Sequence, residues 1–106
     1  MTFSAEVQPQ LDDQIVIVLR GELQQTTAAK FRQVITDVLA TCPAQLVIDL
    51  NLITFLDSSG LGALVSARHA CDETGCRVAV SGLNPAVRRT LHTTGLTDYL
   101  NAHETP

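Results

Sequence analysis

Three short apolar runs alternate with segments of helical periodicity along this chain of 106 residues, and that alternation constrains its fold most strongly. The runs lie at residues 15–19, 45–50 and 76–82, and their valine and isoleucine residues favour strands. Strands that alternate with helices usually pair in parallel, with the helices packed on the sheet. The length suits one core, so we predict a single α/β domain over residues 1–106.

A further strand pattern precedes the first apolar run. Phe3, Ala5 and Val7 alternate with polar residues, which is typical of a strand with one covered face. Residues 15–19 are apolar without a break, which predicts a strand buried on both faces. The intervening residues 11–14 are turn-like, so we expect the two strands to form an antiparallel hairpin.

The first helical segment follows this hairpin. Apolar residues recur at spacings of three and four over residues 28–39, as on the buried side of an amphipathic helix. Thr26 or Thr27 is the expected N-cap, and Cys42 and Pro43 are the expected terminator. The sequence therefore predicts one helix between the first two apolar runs.

Two further helices are indicated by their capping residues. The second is expected to start near Ser58 and to end at Gly75, a residue suited to a left-handed C-terminal cap. The third has Asn84 as its N-cap and Pro85 at its first position, and it is expected to stop before Gly95.

Residues 96–100 complete the pattern as a last expected strand. The predicted order is β-β-α-β-α-β-α-β. We therefore expect a mixed, largely parallel sheet of four to five strands with an N-terminal hairpin, helices packed on the sheet, and a short C-terminus. Residues 101–106 are expected to form a loose tail.

Composition and charge argue against several classes of function. Lys and Arg number 7 against 11 Asp and Glu, for a net charge of −4, and the basic residues are scattered except for Arg88 and Arg89. Nucleic acid requires clustered positive charge, so no nucleic-acid partner is expected. The arginine pair is either part of a solvated face or a small anionic contact. With 45% hydrophobic but only 4% aromatic residues, the core should be aliphatic.

The cysteines and the N-terminus point to the cytoplasm. Cys42, Cys71 and Cys76 have neither the spacing of a zinc site nor the even number of a disulfide framework, and Cys71 is expected in the core. No run approaches the ~18 apolar residues of a membrane span. The N-terminus lacks a basic leader region, because the first basic residue is Arg20. We expect a cytoplasmic protein without a metal or other cofactor.

The most informative short stretch joins the second apolar run to the second helix. Asp57, Ser58 and Ser59 stand at the expected helix N-terminus, where free backbone N–H groups attract anions. Gly60 and Gly62 lack side chains, which lets another molecule's backbone come close. Such a place could hold a phosphate group or accept one covalently.

Several alternatives exist for the same stretch. Asp57 or Ser58 could act only as an N-cap, worth about 1 kcal/mol, and the residues alone leave this interpretation open. A nucleotide phosphate loop needs a lysine where Ala63 follows Gly62, and a hydrolase elbow needs a glycine where Leu56 stands. Nothing in the sequence brings Ser58 together with Asp98 and His103 as a triad. An enzyme is therefore not expected.

Residues 46–68, LVIDLNLITFLDSSGLGALVSAR, closely resemble the signature of the STAS domain as found in bacterial anti-sigma factor antagonists. Two more segments match in the same order. Residues 18–32, VLRGELQQTTAAKFR, resemble the family's strand, Gly-Glu-Leu turn and first helix, and residues 83–100, LNPAVRRTLHTTGLTDYL, resemble its last helix and strand. The resemblance implies the same order of strands and helices as the periodicity does.

The resemblance also implies a function and its residues. In that family the serine after the aspartate is phosphorylated by a partner that is both an ATP-dependent serine kinase and an anti-sigma factor. The unphosphorylated form binds this partner and releases a sigma factor, and a phosphatase restores it. On this chain the acceptor is Ser58, and the expected partner-binding residues are Asp57, Ser59, Gly60, Leu61, Gly62 and Gln24.

Two positions depart from the family pattern. Gln24 stands where family members often have an aspartate after Gly-Glu-Leu, and the family's common C-terminal helix has no counterpart before Pro106. Both departures favour a second hypothesis, in which the chain is a constitutive STAS adaptor subunit of a transporter or sensory scaffold. In either case we expect a monomer or weak dimer.

Overall fold

The structure is a computed structural model and describes residues 3–102. Its helices and strands follow the order β1 (Ser4–Pro9), β2 (Gln14–Leu23), α1 (Gln25–Leu39), β3 (Gln45–Leu56), α2 (Ser58–Thr74), β4 (Arg77–Ser81) and α3 (Pro85–Thr93). The strands lie side by side in chain order. β1 is antiparallel to β2, whereas β2, β3 and β4 are mutually parallel. The predicted mixed, largely parallel sheet with an N-terminal hairpin is confirmed.

The hairpin turn depends on two aspartates in the left-handed region. Asp12 and Asp13 have φ angles of 61° and 58°, and the backbone N–H of Gln14 donates to the carbonyl of Leu11 at 3.3 Å. Two successive residues of positive φ twist the chain in the sense that antiparallel strands require. The turn-like stretch was therefore correctly placed.

The two faces of the sheet are buried to different extents. The side chains that face α1 and α2 are almost fully buried. On the strands they are Ile17, Leu19, Leu46, Ile48, Leu50, Val78 and Val80. The alternate residues, among them Val16, Val18, Val47 and Ala79, form an open face on which no described residue is buried. The expectation that residues 15–19 are buried on both faces is wrong, because the helices α1 and α2 cover only one.

The start of α1 also differs from the prediction. Its N-cap is Gln24, with extended backbone, rather than Thr26 or Thr27. Thr27 lies in the first helical turn, where its hydroxyl accepts a hydrogen bond from the backbone N–H of Gln24 at 3.0 Å. The same hydroxyl donates to the carbonyl of Glu22 at 2.7 Å. The threonine thus stabilises the helix start from inside the helix.

The caps of the other two helices are confirmed. α2 ends with Gly75 at φ 75°. The Asn84 side chain accepts from the backbone N–H of Val87 at 3.0 Å, and Pro85 opens α3. These caps are local interactions, which explains why the sequence predicted them.

The predicted last strand is wrong, so the sheet has four strands among the described residues. Residues 97–101 form turns in which the N–H of Leu100 donates to the carbonyl of Leu96 at 3.0 Å. Leu96 and Leu100 are spaced four apart, as on a helical turn, and do not alternate as on a strand. Asn101 is held by a hydrogen bond from its side chain to the carbonyl of Val78, and Ala102 is buried. These two residues are therefore not loose, and the rest of the expected tail, residues 103–106, lies outside the described part.

The second helix packs against β2 so closely that one position requires glycine. A Cβ atom added to Gly60 would lie 2.2 Å from the carbonyl oxygen of Leu23. Gly62, one half-turn further, has nothing within 4 Å of its added Cβ. The first turn of α2 is thus seated directly on the end of β2.

This difference predicts opposite effects of two alanine substitutions. Gly60→Ala should lower the free energy of unfolding by about 2 kcal/mol or more, because the backbone of β2 must move away. Gly62→Ala should leave it unchanged or raise it by up to ~1 kcal/mol, since alanine favours an exposed helical position. Urea unfolding of both variants measures the difference, and equal stabilities would contradict the close seating of α2.

Two thiols are buried where α2 passes into β4. Cys71 and Cys76 are buried, whereas Cys42 is exposed. Burial, reinforced by the nearby Cys76, raises the pKa of Cys71 from 9.0 to about 12, and burial also raises the pKa of Cys76. The folded protein therefore holds these protons to higher pH than the unfolded chain does.

Stability should consequently fall as the pH rises above 9. The buried thiols contribute fully below pH 9, and their contribution is lost between pH 9 and about 12 as the unfolded chain releases its protons. Between pH 8 and 10 the wild type should lose about 1 kcal/mol more than Cys71→Ala in urea unfolding. Cys42→Ala is the matched control, and its loss of stability between pH 8 and 10 should equal that of the wild type. An identical loss in Cys71→Ala would contradict the raised pKa.

Candidate functional site

The ends of two parallel strands bring two helix N-termini to one corner of the molecule. Leu23 at the end of β2 pairs with Leu56 at the end of β3. α1 begins two residues after the end of β2, and α2 begins two residues after the end of β3. The corner therefore carries the positive ends of two helix dipoles.

Asp57 links these two helix starts. It is the N-cap of α2, and its Oδ1 accepts from the backbone N–H of Gly60 at 2.8 Å. Its Oδ2 accepts from the backbone N–H of Gln25 at 3.1 Å, in the first turn of α1. Its own N–H donates to the carbonyl of Leu23 at 3.3 Å. One carboxylate thus satisfies a free donor of each helix and lies at the positive end of both dipoles.

Ser58 carries an accessible hydroxyl at this corner. It is the first residue of α2 and is exposed, whereas Ser59 is partly buried. Among residues 3–102, no hydrogen bond to the Ser58 side chain is found. The helix starts at this corner are stabilised by the Asp57 carboxylate, the Thr27 hydroxyl and the backbone, so the Ser58 hydroxyl remains available for chemistry.

The glycines at this helix start have different surroundings. Gly60 is buried, and its missing side chain makes room for the Leu23 carbonyl of the same chain. The close approach that requires glycine there is therefore intramolecular. Gly62 is exposed with open space above it, and Leu61 is partly buried against the core. Of the two glycines, Gly62 is the one that another molecule can reach.

Gln24 lies at the same corner because it follows Leu23 and caps α1. Its carbonyl accepts from the backbone N–H groups of Thr27 at 3.0 Å and Ala28 at 2.8 Å. The residue is partly buried and carries no charge. The sequence could not reveal the role of Gln25, because it contributes a backbone N–H group, which every non-proline residue has.

Two members of the hydrolytic triad considered from the sequence, Ser58 and Asp98, lie among the described residues. Asp98 precedes Tyr99, whose ring lies 4.9 Å from the guanidinium of Arg68. Arg68 is ten residues beyond Ser58 on α2, which is about 15 Å along the helix axis. His103 lies outside the described residues. The structure thus places Tyr99, the neighbour of Asp98, beside Arg68 and away from the N-terminus of α2.

The remaining predicted features lie elsewhere. Arg88 and Arg89 are exposed on α3 and line a cavity of about 440 Å³ with His92. Within residues 3–102, no group of three or more metal-ligating side chains is found. In the same part of the chain, no helix has the length and apolar character needed to cross a membrane.

Comparison with known proteins gives a consistent picture. The anti-sigma-B factor antagonist of Listeria monocytogenes is 29% identical over 100 residues, which cover 94% of this chain and 88% of that protein. The crystal structure of an anti-sigma factor antagonist from Mycobacterium paratuberculosis has a TM-score of 0.86 at 32% identity, covering 98% of this chain and 87% of that one. The anti-sigma factor antagonist SpoIIAA in its unphosphorylated form has a TM-score of 0.81 over 97% of this chain and 89% of its own. At 19% identity, this last likeness shows the fold alone.

A family model matches both the site and the sheet that supports it. A model of the STAS domain family matches residues 3–106, which include both helix starts, the serine and the whole sheet. The resemblance of the three segments is thereby confirmed. The chain belongs to the STAS domain family and is similar, over nearly its full length, to bacterial anti-sigma factor antagonists.

Proposed function

We propose that this protein is an anti-sigma factor antagonist whose activity is switched by phosphorylation of Ser58. The observation that carries the proposal is the exposed Ser58 hydroxyl at the start of α2, beside a carboxylate that already caps the helix. The names of its relatives support the regulatory class. In its unphosphorylated form the protein binds an anti-sigma factor that is also a serine kinase, and a sigma factor is released.

Phosphorylation would act on binding through charge. A phosphate adds about −1.5 to −2 charge at neutral pH. At Ser58 this charge stands next to the Asp57 carboxylate, which is held in place by two backbone N–H groups. Asp57 cannot turn away without uncapping α2, so the two negative charges stay close. A partner that covers this corner would then bury both, at a cost from repulsion and desolvation.

The proposed cycle needs two partners and no cofactor of its own. The kinase transfers the γ-phosphoryl group of ATP to the Ser58 hydroxyl and releases ADP, and a phosphatase hydrolyses the phosphoserine to serine and inorganic phosphate. The protein itself has a binding role and is not an enzyme. It acts in the cytoplasm, where sigma factors work, as a monomer or weak dimer.

One observation favours a second candidate function. Gln24 lies at this corner and is neutral. It therefore lacks the negative charge of the aspartate that family members often have at this position. In this second hypothesis the same corner is a fixed docking surface of a transporter or sensory scaffold. The two hypotheses differ in whether a charge at position 58 changes binding.

The acceptor assignment can be tested by mass mapping. We expect one kinase-type anti-sigma factor from the source organism, incubated with ATP, to add a single phosphate to Ser58. Ser58→Ala should abolish the modification, and Ser59→Ala, the matched control, should retain it because Ser59 is partly buried. ATP without kinase should give none. Phosphate confined to Ser59 would overturn the assignment.

The switch itself is tested by binding. Ser58→Ala removes the acceptor but little contact area, so it should bind the anti-sigma factor about as tightly as wild type. Ser58→Asp places a second charge beside Asp57 and should weaken binding roughly 10-fold or more. Isothermal titration calorimetry measures both affinities. Thermal melts should show both variants folded, because a carboxylate near a helix N-terminus is tolerated.

The same titrations separate the two hypotheses. Equal affinities of Ser58→Ala and Ser58→Asp for the anti-sigma factor, with unchanged melts, would contradict the switch and favour the constitutive adaptor.

A further inference from the structure

Two large apolar side chains are left exposed close to Ser58. Leu52 is 37% exposed and Phe55 is 49% exposed, although the other two phenylalanines, Phe3 and Phe31, are buried. Both exposed residues lie in the last five residues of β3, immediately before α2. Burying an exposed aromatic ring against a partner gives a large favourable contribution, so these residues mark a candidate contact surface.

The strand pairing explains why these residues point outward. In the pairing of β2 with β3, Leu52 lies opposite Arg20 and Phe55 lies opposite Glu22. The register shifts at two points, and each shift adds one residue to β3. Arg20 and Glu22 alternate with the buried residues of β2, so they lie on the open face. The two extra residues of β3 thus place Leu52 and Phe55 together on that face.

On the side away from β2, no described strand pairs with this end of β3. β4 pairs only with residues 45–49, so β3 extends seven residues beyond it. The carbonyl of Ile53 in this extension is bonded by the Asn84 side chain at 2.6 Å, which fixes α3 beside the strand. The strand end is therefore held firmly while its outer side chains remain uncovered.

We propose that Leu52 and Phe55 form an apolar anchor, flanked by Arg20 and Glu22, for the protein kinase that modifies Ser58. This proposal rests on the proposed function and names the surface through which that partner docks. Phe55 stands three residues before Ser58, so a protein that reaches the serine also reaches the ring. An aromatic side chain with charged residues around it is typical of a protein–protein interface.

A second copy of this chain fits the surface less well. A stable dimer buries about 800 Å² on each partner, far more than two half-exposed side chains supply. The anchor instead adds to the area around Ser58, Gly62 and the start of α1. The partner should accordingly carry an apolar pocket beside its phosphoryl-transfer site.

The test compares Phe55→Ala with Leu11→Ala, an equally apolar truncation in the hairpin turn, where Leu11 is 86% exposed. Binding of the kinase-type anti-sigma factor that phosphorylates the wild type should weaken roughly 10-fold or more in Phe55→Ala. It should be unchanged in Leu11→Ala. Leu52→Ala is a second, independent variant and should weaken binding in the same direction.

Phosphorylation rates distinguish docking from damage to the acceptor. Phe55→Ala should be phosphorylated more slowly at low kinase concentration and at the wild-type rate when kinase is saturating. Thermal melts should match the wild type, because the ring is half exposed. A lower rate at saturating kinase would contradict a pure docking role.

The outcomes separate the two proposals. If the wild type is bound and phosphorylated but both Phe55→Ala and Leu52→Ala bind normally, the anchor is wrong and the switch stands. If no kinase-type anti-sigma factor binds the wild type, the proposed function fails and the anchor fails with it. If sedimentation shows a wild-type dimer that Phe55→Ala dissociates, the occupant is a second copy and our assignment of the partner is overturned.

Discussion

The structure of the corner where α1 and α2 begin depends on the hydrogen bonds that the Asp57 carboxylate accepts. Its two oxygens accept hydrogen bonds from the first turns of two helices, and its backbone N–H is bonded to the end of β2. Without it, each helix would lose a partner for one of its free N–H groups at the point where the sheet ends. Because Asp57 performs this capping, Ser58 needs no structural role. The corner thus combines a fixed carboxylate with a free hydroxyl one residue away.

Close packing makes the arrangement rigid enough to serve as a surface. The carbonyl of Leu23 accepts from the N–H of Asp57 and also lies beneath Gly60, so the first turn of α2 cannot rise from the sheet or carry a side chain there. A rigid surface loses little conformational entropy when a partner binds it. A phosphate added at Ser58 would therefore change the charge of the surface more than its shape. This is the simplest route by which one modification alters binding while the fold persists.

The sequence predicted the features that depend on neighbouring residues and missed those that depend on distant ones. Asn84, Pro85 and Gly75 cap their helices through contacts a few residues away, and these assignments were confirmed. The N-cap of α1 is an exception: its prediction was wrong although the contact is local, because Thr27 bonds back to Gln24 from within the helix. The link from Asp57 to Gln25 spans 32 residues and ends on a backbone group, which no side-chain pattern can reveal. Val16 and Val18 were predicted to be buried but are partly exposed. The reason is similar, because a run of apolar residues does not show which face of the sheet is left without a helix.

The open face and the corner form one continuous surface, and this continuity has a physical origin. α1 and α2 follow parallel strands by crossovers of the same hand, so both helices lie on the same side of the sheet. The opposite side then stays uncovered as far as the strand ends, where Leu52 and Phe55 lie. Both helix starts necessarily stand at those same strand ends. The topology that builds the core therefore also places an apolar patch beside Ser58, the proposed phosphate acceptor, and a single partner of the proposed kind could bury the patch and contact Ser58 at once.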